Sequence, residues 1–263
     1  MLRNTFIHIP GIGYKTELKL WKNRILTWED YLRDSHRIGL FGRRKDKIEA
    51  CITDSRHHLA RGDYQFFASS VPKREVWRVY PEFRNSVAFL DIETTGLDVS
   101  DVITMVGIYD GNQVKTFIRE INLDEIENEL SKYSLLVTYN GACFDLPFLR
   151  YHFHNAVLDQ LHIDLRYPLK RLGYSGGLKQ IEHSLNIQRT EETRNLDGFD
   201  AVRLWYEYQS GSKESLELLI EYNSEDIVNL KKLMEFAYSR LEKELLGNFL
   251  TERALRSQEG DAV

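Results

Sequence analysis

The chain has 263 residues, 42% of them apolar and 29% charged, which is enough for one full-sized core and a small second domain. No window approaches the ~18 to 20 consecutive apolar residues of a bilayer-spanning helix, and the N-terminus lacks the order of a secretory signal, so we expect a cytoplasmic protein without membrane contact. The two cysteines, Cys51 and Cys143, form no CxxC pair and no disulfide framework, which predicts reduced thiols and argues against a structural zinc site.

The net charge of −5 is unevenly distributed along the chain. Residues 1–80 contain 16 Lys and Arg against 9 Asp and Glu, whereas the remainder contains 19 against 31. A basic surface attracts phosphates, so we interpret residues 1–80 as an accessory domain that can bind nucleic acid. The alternative is that these charges belong to ordinary solvated faces.

Two segments of this basic domain could contact nucleic acid. Residues 9–13, IPGIG, resemble a helix-hairpin-helix element, whose glycine turn offers backbone N–H groups to a phosphate. Glu17 departs from that resemblance, because the family usually has a small residue there. Residues 42–47, GRRKDK, read as a basic loop. For both segments, a purely structural role is the alternative to nucleic-acid binding.

Residues 70–85 mix turn residues with isolated aromatics, and we place the domain boundary there. Three strands are then predicted in succession, followed by a helix, a buried strand and further helices. This order indicates an α/β fold with a mixed sheet flanked by helices over 84–246, next to a small, mainly helical N-terminal domain. Residues 247–263 are expected to form a polar C-terminal tail that is frayed over 251–263. The segments behind these predictions are 86–92, 102–109, 113–119, 123–133, 134–140, 145–154, 177–185, 198–210 and 213–246.

The first carboxylate motif is Asp91-Ile92-Glu93 at the end of an apolar strand. Strand side chains alternate between faces, so Asp91 and Glu93 project from the same face. Two adjacent carboxylates repel each other unless one is protonated or both hold a cation, and Mg²⁺ and Mn²⁺ prefer such oxygen ligands. A strand end that reaches solvent is the alternative interpretation.

Two further acids follow at a strand-to-helix junction and inside a long helix. Asp145 comes just before Pro147 in a first helical turn, where a plain N-cap is the alternative. Tyr222 and Asp226 are four residues apart, so they lie on one helix face and can point into one site. A surface pair is the common explanation for a single Y-x-x-x-D, but the order and placement of all three motifs agree with each other.

Together these motifs resemble the DEDD superfamily of 3′-to-5′ exonucleases, which have an RNase H-like fold. Asp91, Glu93, Asp145 and Asp226 match its four acids, and Tyr222 matches its tyrosine subclass. The segments YNGACFDLPFL and YNSEDIVNL are also similar to motifs in the proofreading domains of family B DNA polymerases. The resemblance spans about residues 84–240.

The resemblance implies a two-metal mechanism with Mg²⁺ or Mn²⁺. Asp91 would bridge both ions, Glu93 and Asp226 would complete the first site, and Asp145 would support the second. Tyr222 would orient the attacking water, because a normal pKa of ~10 makes it a poor general base at neutral pH.

The same resemblance implies three substrate contacts. The backbone after Glu93, at Thr94, and the side chain of Leu97 would hold the terminal nucleotide, with core packing as the alternative for Leu97. Asn140 is a further candidate for contact with substrate.

The sequence therefore predicts an exonuclease that hydrolyses terminal phosphodiesters at the 3′ end of single-stranded DNA or RNA and releases nucleoside 5′-monophosphates. The alternatives are a nucleic-acid-binding module that has lost catalysis and an RNase H-like endonuclease. The choice between DNA and RNA stays open, because it depends on the shape of the pocket around the 2′ position.

Overall fold

The computed structural model describes residues 1–38 and 42–260, and the side chains of residues 1–36 and 42–251. The chain forms two compact units. The first unit contains Met1–Phe83 together with the residues from Tyr238 onward, and the second is continuous in sequence, Arg84–Ala237. The first unit is thus assembled from both ends of the chain.

The N-terminal part of the first unit is helical. Its α-helices are α1 Tyr14–Lys22, α2 Trp28–Asp34, α3 Arg43–Ala60, α4 Tyr64–Ser70 and α5 Tyr80–Phe83. Local sequence sets two of the starts: Thr27 and Asp30 form a reciprocal capping box at α2, and Asp63 accepts a hydrogen bond from the Phe66 amide at α4. Short 3₁₀ helices in this part lie at Leu2–Asn4, Ser35–Ile38 and Lys73–Val79, and a further one, Arg84–Ser86, begins the second unit.

Glu17 explains how the IPGIG segment departs from a helix-hairpin-helix. Its side chain is buried, and Oε1 accepts hydrogen bonds from the amides of Phe6 (2.7 Å) and Ile7 (3.3 Å). Oε2 accepts from Arg78 Nη1 at 2.9 Å. A small residue could make none of these contacts, so Glu17 fixes the chain that precedes the turn.

Two predictions about irregular segments were wrong. Residues 42–47 are not a basic loop, because α3 begins at Arg43 and includes most of them. The final helix, α11, runs from Lys213 to Gly260, so the residues predicted to be frayed from position 251 onward are helical over their described part. In residues 43–47, charged and largely exposed side chains hide the helical period.

The second unit contains the predicted mixed sheet, which has five strands in the order β3-β2-β1-β4-β5. β1 and β2 are antiparallel, as are β2 and β3, while β1, β4 and β5 run parallel. The strands are β1 Val87–Thr94, β2 Ile103–Tyr109, β3 Val114–Ile118, β4 Leu135–Thr138 and β5 Leu161–Asp164. The helices of this unit before α11 are α6 Ile126–Leu130, α7 Asp145–His152, α8 Arg166–Arg171, α9 Leu178–Ser184 and α10 Gly198–Gln209.

The sheet buries apolar side chains on both faces. Alternate residues of β1, among them Leu90 and Ile92, pack with residues of α6 and α7 on one face. On the other face, Met105 of β2 packs with Trp205 of α10 and Tyr222 of α11. Asp91 and Glu93 alternate with Ile92, so they face the side of α10 and α11.

Within residues 1–38 and 42–260, no helix combines the length and the apolar content that crossing a bilayer requires.

Cys51 is partly buried and Cys143 is exposed, and both are free thiols.

Candidate active site

Three of the predicted acids meet at the end of β1. Among the described side chains, Asp91, Glu93 and Asp226 each offer a carboxylate oxygen, and these oxygens lie within 4.8 Å of one another. β1 supplies two of the acids through its alternation, and α11 supplies the third from the helix that packs on the same face. Asp226 is thus brought into one cluster with two acids that lie more than 130 positions before it in the sequence.

An asparagine bridges the two acids of β1. Asn223 Nδ2 donates to Asp91 Oδ2 at 3.0 Å and to Glu93 Oε1 at 3.3 Å. The approach depends on Gly107, which pairs with Asp91 on the neighbouring strand, because a Cβ there would lie 1.8 Å from Asn223 Oδ1. Gly107 therefore makes room for the side chain that holds the two carboxylates in fixed positions.

Asp145 lies beside this cluster but outside the group of three. It is the first residue of α7, its side chain is buried, and its Oδ1 has no hydrogen-bond partner among the described residues. The turn before it is fixed by Asp164 at the end of β5, which accepts hydrogen bonds from the amides of Asn140 (2.8 Å) and Ala142 (3.2 Å). Asp164 thus shapes the junction that presents Asp145.

Tyr222 lies one turn before Asp226 on α11 and is buried. The Lys179 ammonium is 4.3 Å from the centroid of its ring, and the Arg189 guanidinium carbon is 5.8 Å away. Burial, followed by the charges of Asp226, Glu93 and Asp91, raises the pKa of Tyr222 above its ordinary value. Its hydroxyl therefore stays protonated at neutral pH and can donate a hydrogen bond.

The acids themselves favour protonation when no cation is bound. Burial raises the pKa of Glu93 to about 8, with the charge of Asp226 as the next cause. Burial also raises the pKa of Asp145 to about 7 and that of Asp226 to about 6, although Arg189 opposes the shift at Asp226. For Asp91, burial and the charges of Asp145 and Asp226 raise the pKa well above its usual range.

These observations fit a divalent cation site. The clustered oxygens are the ligands that Mg²⁺ and Mn²⁺ prefer, and one further buried carboxylate oxygen, Asp145 Oδ1, has no hydrogen-bond partner in the described part of the chain. Burial is the main cause of the raised pKa values and repulsion between the carboxylates adds to it, so a bound cation would stabilise their charged forms.

The predicted substrate residues lie at the edge of the site. Leu97 follows β1 and is 80% exposed, so the core-packing alternative for it was wrong. Thr94 is buried and its hydroxyl donates to the Gly96 carbonyl at 2.5 Å, which tightens the turn that carries Leu97. Asn140 adopts a left-handed conformation, φ 64°, and its side-chain oxygen accepts from Arg166 Nη1 at 2.6 Å.

A family model of the RNase H superfamily matches residues 88–238, which include all four acids. The chain belongs to the RNase H superfamily. This membership confirms the predicted RNase H-like fold and supports nuclease activity on a nucleic-acid partner in general. No curated protein matches the chain.

Among solved structures, the RNase H-like chain is similar to the family B DNA polymerase of the hyperthermophilic archaeon Pyrobaculum calidifontis. The two share 16% sequence identity, with a TM-score of 0.42. The match covers 61% of this chain and 24% of the polymerase, so the chain spans about a quarter of the polymerase's length.

Four residues that support the site were missed from the sequence: Glu182, Arg189, Asn223 and Asp164. Arg189 pairs with Asp226 from 37 positions away, and no local periodicity announces such a contact. Asn223 was visible inside the Tyr-x-x-x-Asp motif, but its role depends on Gly107 opposite. Asp164 could have been found as an acid that ends a strand beside the site, if the short β5 had been recognised.

Proposed function

We propose that the chain is a metal-dependent 3′-to-5′ exonuclease that hydrolyses the terminal phosphodiester of single-stranded nucleic acid and releases nucleoside 5′-monophosphates. The observation that carries the proposal is the cluster of Asp91, Glu93 and Asp226 oxygens within 4.8 Å, with Tyr222 one turn before Asp226. Nuclease activity in general follows from the superfamily. The exonuclease assignment rests on Tyr222 and on the resemblance to the tyrosine subclass of DEDD enzymes.

The acids serve to hold two Mg²⁺ or Mn²⁺ ions. When bound, such ions supply an activated water and shield the charge of the phosphate and of the departing 3′ oxygen. Asp91, Glu93 and Asp226 would bind through their clustered oxygens, and Asp145 would contribute its unpartnered Oδ1. Asn223 keeps Asp91 and Glu93 at a fixed separation by donating to both.

The remaining residues orient the reactants. Tyr222 is protonated, so its hydroxyl positions the attacking water instead of removing a proton from it. Exposed Leu97 offers an apolar surface to the terminal base, and the Thr94 backbone lies at the start of the same turn. Asn140 contributes to substrate binding together with Arg166, which contacts its side chain.

The test uses the full chain with 5′-labelled single-stranded DNA and RNA oligonucleotides in Mg²⁺ or Mn²⁺. We expect a descending ladder of products, loss of cleavage in EDTA, and protection when the 3′ hydroxyl is blocked. Internal cuts that persist on a blocked end would indicate an endonuclease. Retention of the oligonucleotide without any cleavage would favour the alternative, a binding module that has lost catalysis.

A matched pair of variants separates the metal ligands from general charge. Asp145→Asn should abolish cleavage while the protein still binds oligonucleotide, because it removes one proposed ligand and little packing. Asp124→Asn changes an exposed acid outside the cluster and should cleave like wild type. Equal rates for both variants would contradict the assignment of Asp145.

A further inference from the structure

Arg189 contacts the acid cluster from the segment between α9 and α10. Its Nη2 donates to Asp226 Oδ1, and its Nε and Nη2 donate to Glu182 Oε2 (2.6 Å) and Oε1 (2.8 Å). The Arg189 side chain is only 4% exposed. A buried arginine thus connects one proposed metal ligand to a second, buried carboxylate that is not itself in the cluster.

Glu182 makes this arginine rigid. Its side chain is 2% exposed, and Oε1 also accepts from Asn229 Nδ2 at 3.0 Å. Asn229 lies three residues after Asp226 on α11. The Arg189 guanidinium and the Glu182 carboxylate therefore both form hydrogen bonds to α11, the helix that carries the proposed metal ligand Asp226. A planar guanidinium held at two nitrogens by one carboxylate has its orientation fixed.

The backbone around Arg189 is tied to the same helix. The Thr190 amide donates to Glu225 Oε1 at 2.8 Å, and the Thr193 hydroxyl donates to Glu225 Oε2. Glu225 immediately precedes Asp226. The segment that carries Arg189 is therefore fastened at the point where it reaches the cluster, even though it lies between two helices.

We propose that Arg189, anchored by Glu182, is the positioning residue that orients the Asp226 carboxylate for cation binding. Its contact at Oδ1 leaves Oδ2 to serve as a ligand, since a carboxylate has two acceptor oxygens. Carboxylates that ligate metals are commonly held by such outer partners. This inference rests on the proposed metal site and adds to it a residue outside the acid motifs.

The test measures the affinity of the full chain for Mn²⁺ in the absence of nucleic acid. Electron paramagnetic resonance reports the concentration of free Mn²⁺ at each point of the titration. Loss of an outer-shell partner typically weakens metal affinity by about 10- to 100-fold, and we expect Arg189→Met to fall in that range. Arg189→Lys, which keeps a charge near Asp226, should recover part of the affinity. Arg203→Met is the matched control, because Arg203 also pairs with two carboxylates, Asp200 and Glu207, but is 52% exposed.

Activity supplies a second readout. In Arg189→Met, the Mn²⁺ concentration needed for half-maximal cleavage should rise by the same factor, while KM for the oligonucleotide stays unchanged at saturating Mn²⁺. A general loss of structure would instead change both the half-maximal Mn²⁺ concentration and the KM for the oligonucleotide. Mn²⁺ affinity that is equal or tighter than wild type in folded Arg189→Met would overturn the proposal.

A second variant covers the case in which Arg189→Met does not fold. Glu182→Gln keeps the arginine but removes the charge of its anchor, so Mn²⁺ binding should again weaken. Wild-type affinity in Glu182→Gln would then decide against the proposal. If the wild-type protein itself binds no Mn²⁺, the proposed metal site fails, an outcome distinct from a failure of Arg189 alone.

Discussion

Each unit of the molecule contains a buried arginine between two carboxylates, and the two arrangements differ in how they are completed. In the first unit, Arg78 is 1% exposed and donates to Glu75 at 2.7 Å and Glu17 at 2.9 Å. The second oxygen of Glu17 is used by two backbone amides. In the RNase H-like unit, Arg189 pairs with Glu182 and Asp226, but Asp226 also faces Asp91 and Glu93.

The difference distinguishes an ion cluster with a structural role from one for which we propose a role in cation binding. Around Arg78, two carboxylates share one guanidinium and the second oxygen of Glu17 accepts from two backbone amides, so the cluster can stabilise the fold without any ligand. Around Arg189, one guanidinium meets more carboxylates than it can neutralise. The surplus negative charge is the part that a bound cation would complete, and it lies where the sheet and α11 meet.

The largest effect is expected from a substitution in the acid cluster around Arg189. Asp226→Asn should reduce exonuclease cleavage to background, because it removes a proposed ligand, while oligonucleotide binding and the thermal transition stay close to wild type. Cleavage assays, filter binding and calorimetry on one preparation measure all three. Undiminished turnover in Mg²⁺ would contradict the proposal that the cluster around Arg189 binds the catalytic metal.

Tyr222→Phe tests the role of a single hydroxyl beside the acid cluster. The change deletes one hydroxyl that positions water, and groups of this kind contribute about 10² to 10⁴ in rate. We expect kcat to fall on that scale while KM changes little, because the ring still packs against Met105 and Trp205. A variant as fast as wild type would leave Tyr222 as a core residue only.

Arg78→Met should have the opposite signature. Breaking a buried ion pair by removing one partner costs about 3 to 5 kcal/mol, since Glu17 and Glu75 are left buried without their counterion. Urea denaturation should show this loss in the free energy of unfolding. At temperatures where the variant is folded, kcat should equal that of wild type. A reduced kcat under these conditions would contradict a purely structural role for the Arg78 cluster.

The surplus charge also predicts a pH dependence in the metal-free protein. The pKa of Glu93 is raised from 4.5 to about 8 by burial and then by Asp226, so the folded state holds a proton that the unfolded chain releases. The contribution to stability is therefore full below about pH 4.5 and is lost as the pH rises through about 8. In EDTA, the free energy of unfolding should fall over this range more steeply for wild type than for Glu93→Gln. Parallel curves would contradict the prediction.

The smallest effect concerns the basic surface of the first unit. We propose that this unit holds nucleic acid, and its exposed Arg44 and Lys47 on α3 are candidates for phosphate contacts. Each contact to single strands contributes about −0.7 to the log–log salt slope of binding, so loss of both contacts in Arg44→Gln with Lys47→Gln should flatten the slope by about 1.4 and leave kcat unchanged. Lys213→Gln is the control in the other unit. An unchanged slope would assign these charges to ordinary solvation.

Local pattern predicted the mixed sheet, whereas the four acids were selected because the three motifs together resemble one family. Alternation along β1 was sufficient to place Asp91 and Glu93 on one face, and helical spacing was sufficient to pair Tyr222 with Asp226. The mixed sheet followed from three successive strands, a helix and then a buried strand.

The partners of these acids could not be predicted, because their contacts join distant segments. The role of Arg189 depends on its contacts with Glu182 and Asp226, which are distant in sequence. The role of Asn223 depends on the space left by Gly107, which has no side chain. The short strand β5 was missed for a related reason, since four residues show too little alternation. Glu17 appeared as a departure from a known turn motif, whereas its buried contacts make it the anchor of that segment.

The composition of the first unit from both ends of the chain has a consequence for folding order. Met1 donates from its ammonium group to the Tyr238 hydroxyl at 2.9 Å, a contact that spans 237 positions. During synthesis, residues 84–237 emerge as one continuous stretch and can form their sheet while the N-terminal helices still lack Tyr238 and the helix that follows it. The unit translated first is therefore the last to be completed, and closing it requires the slow formation of very non-local contacts.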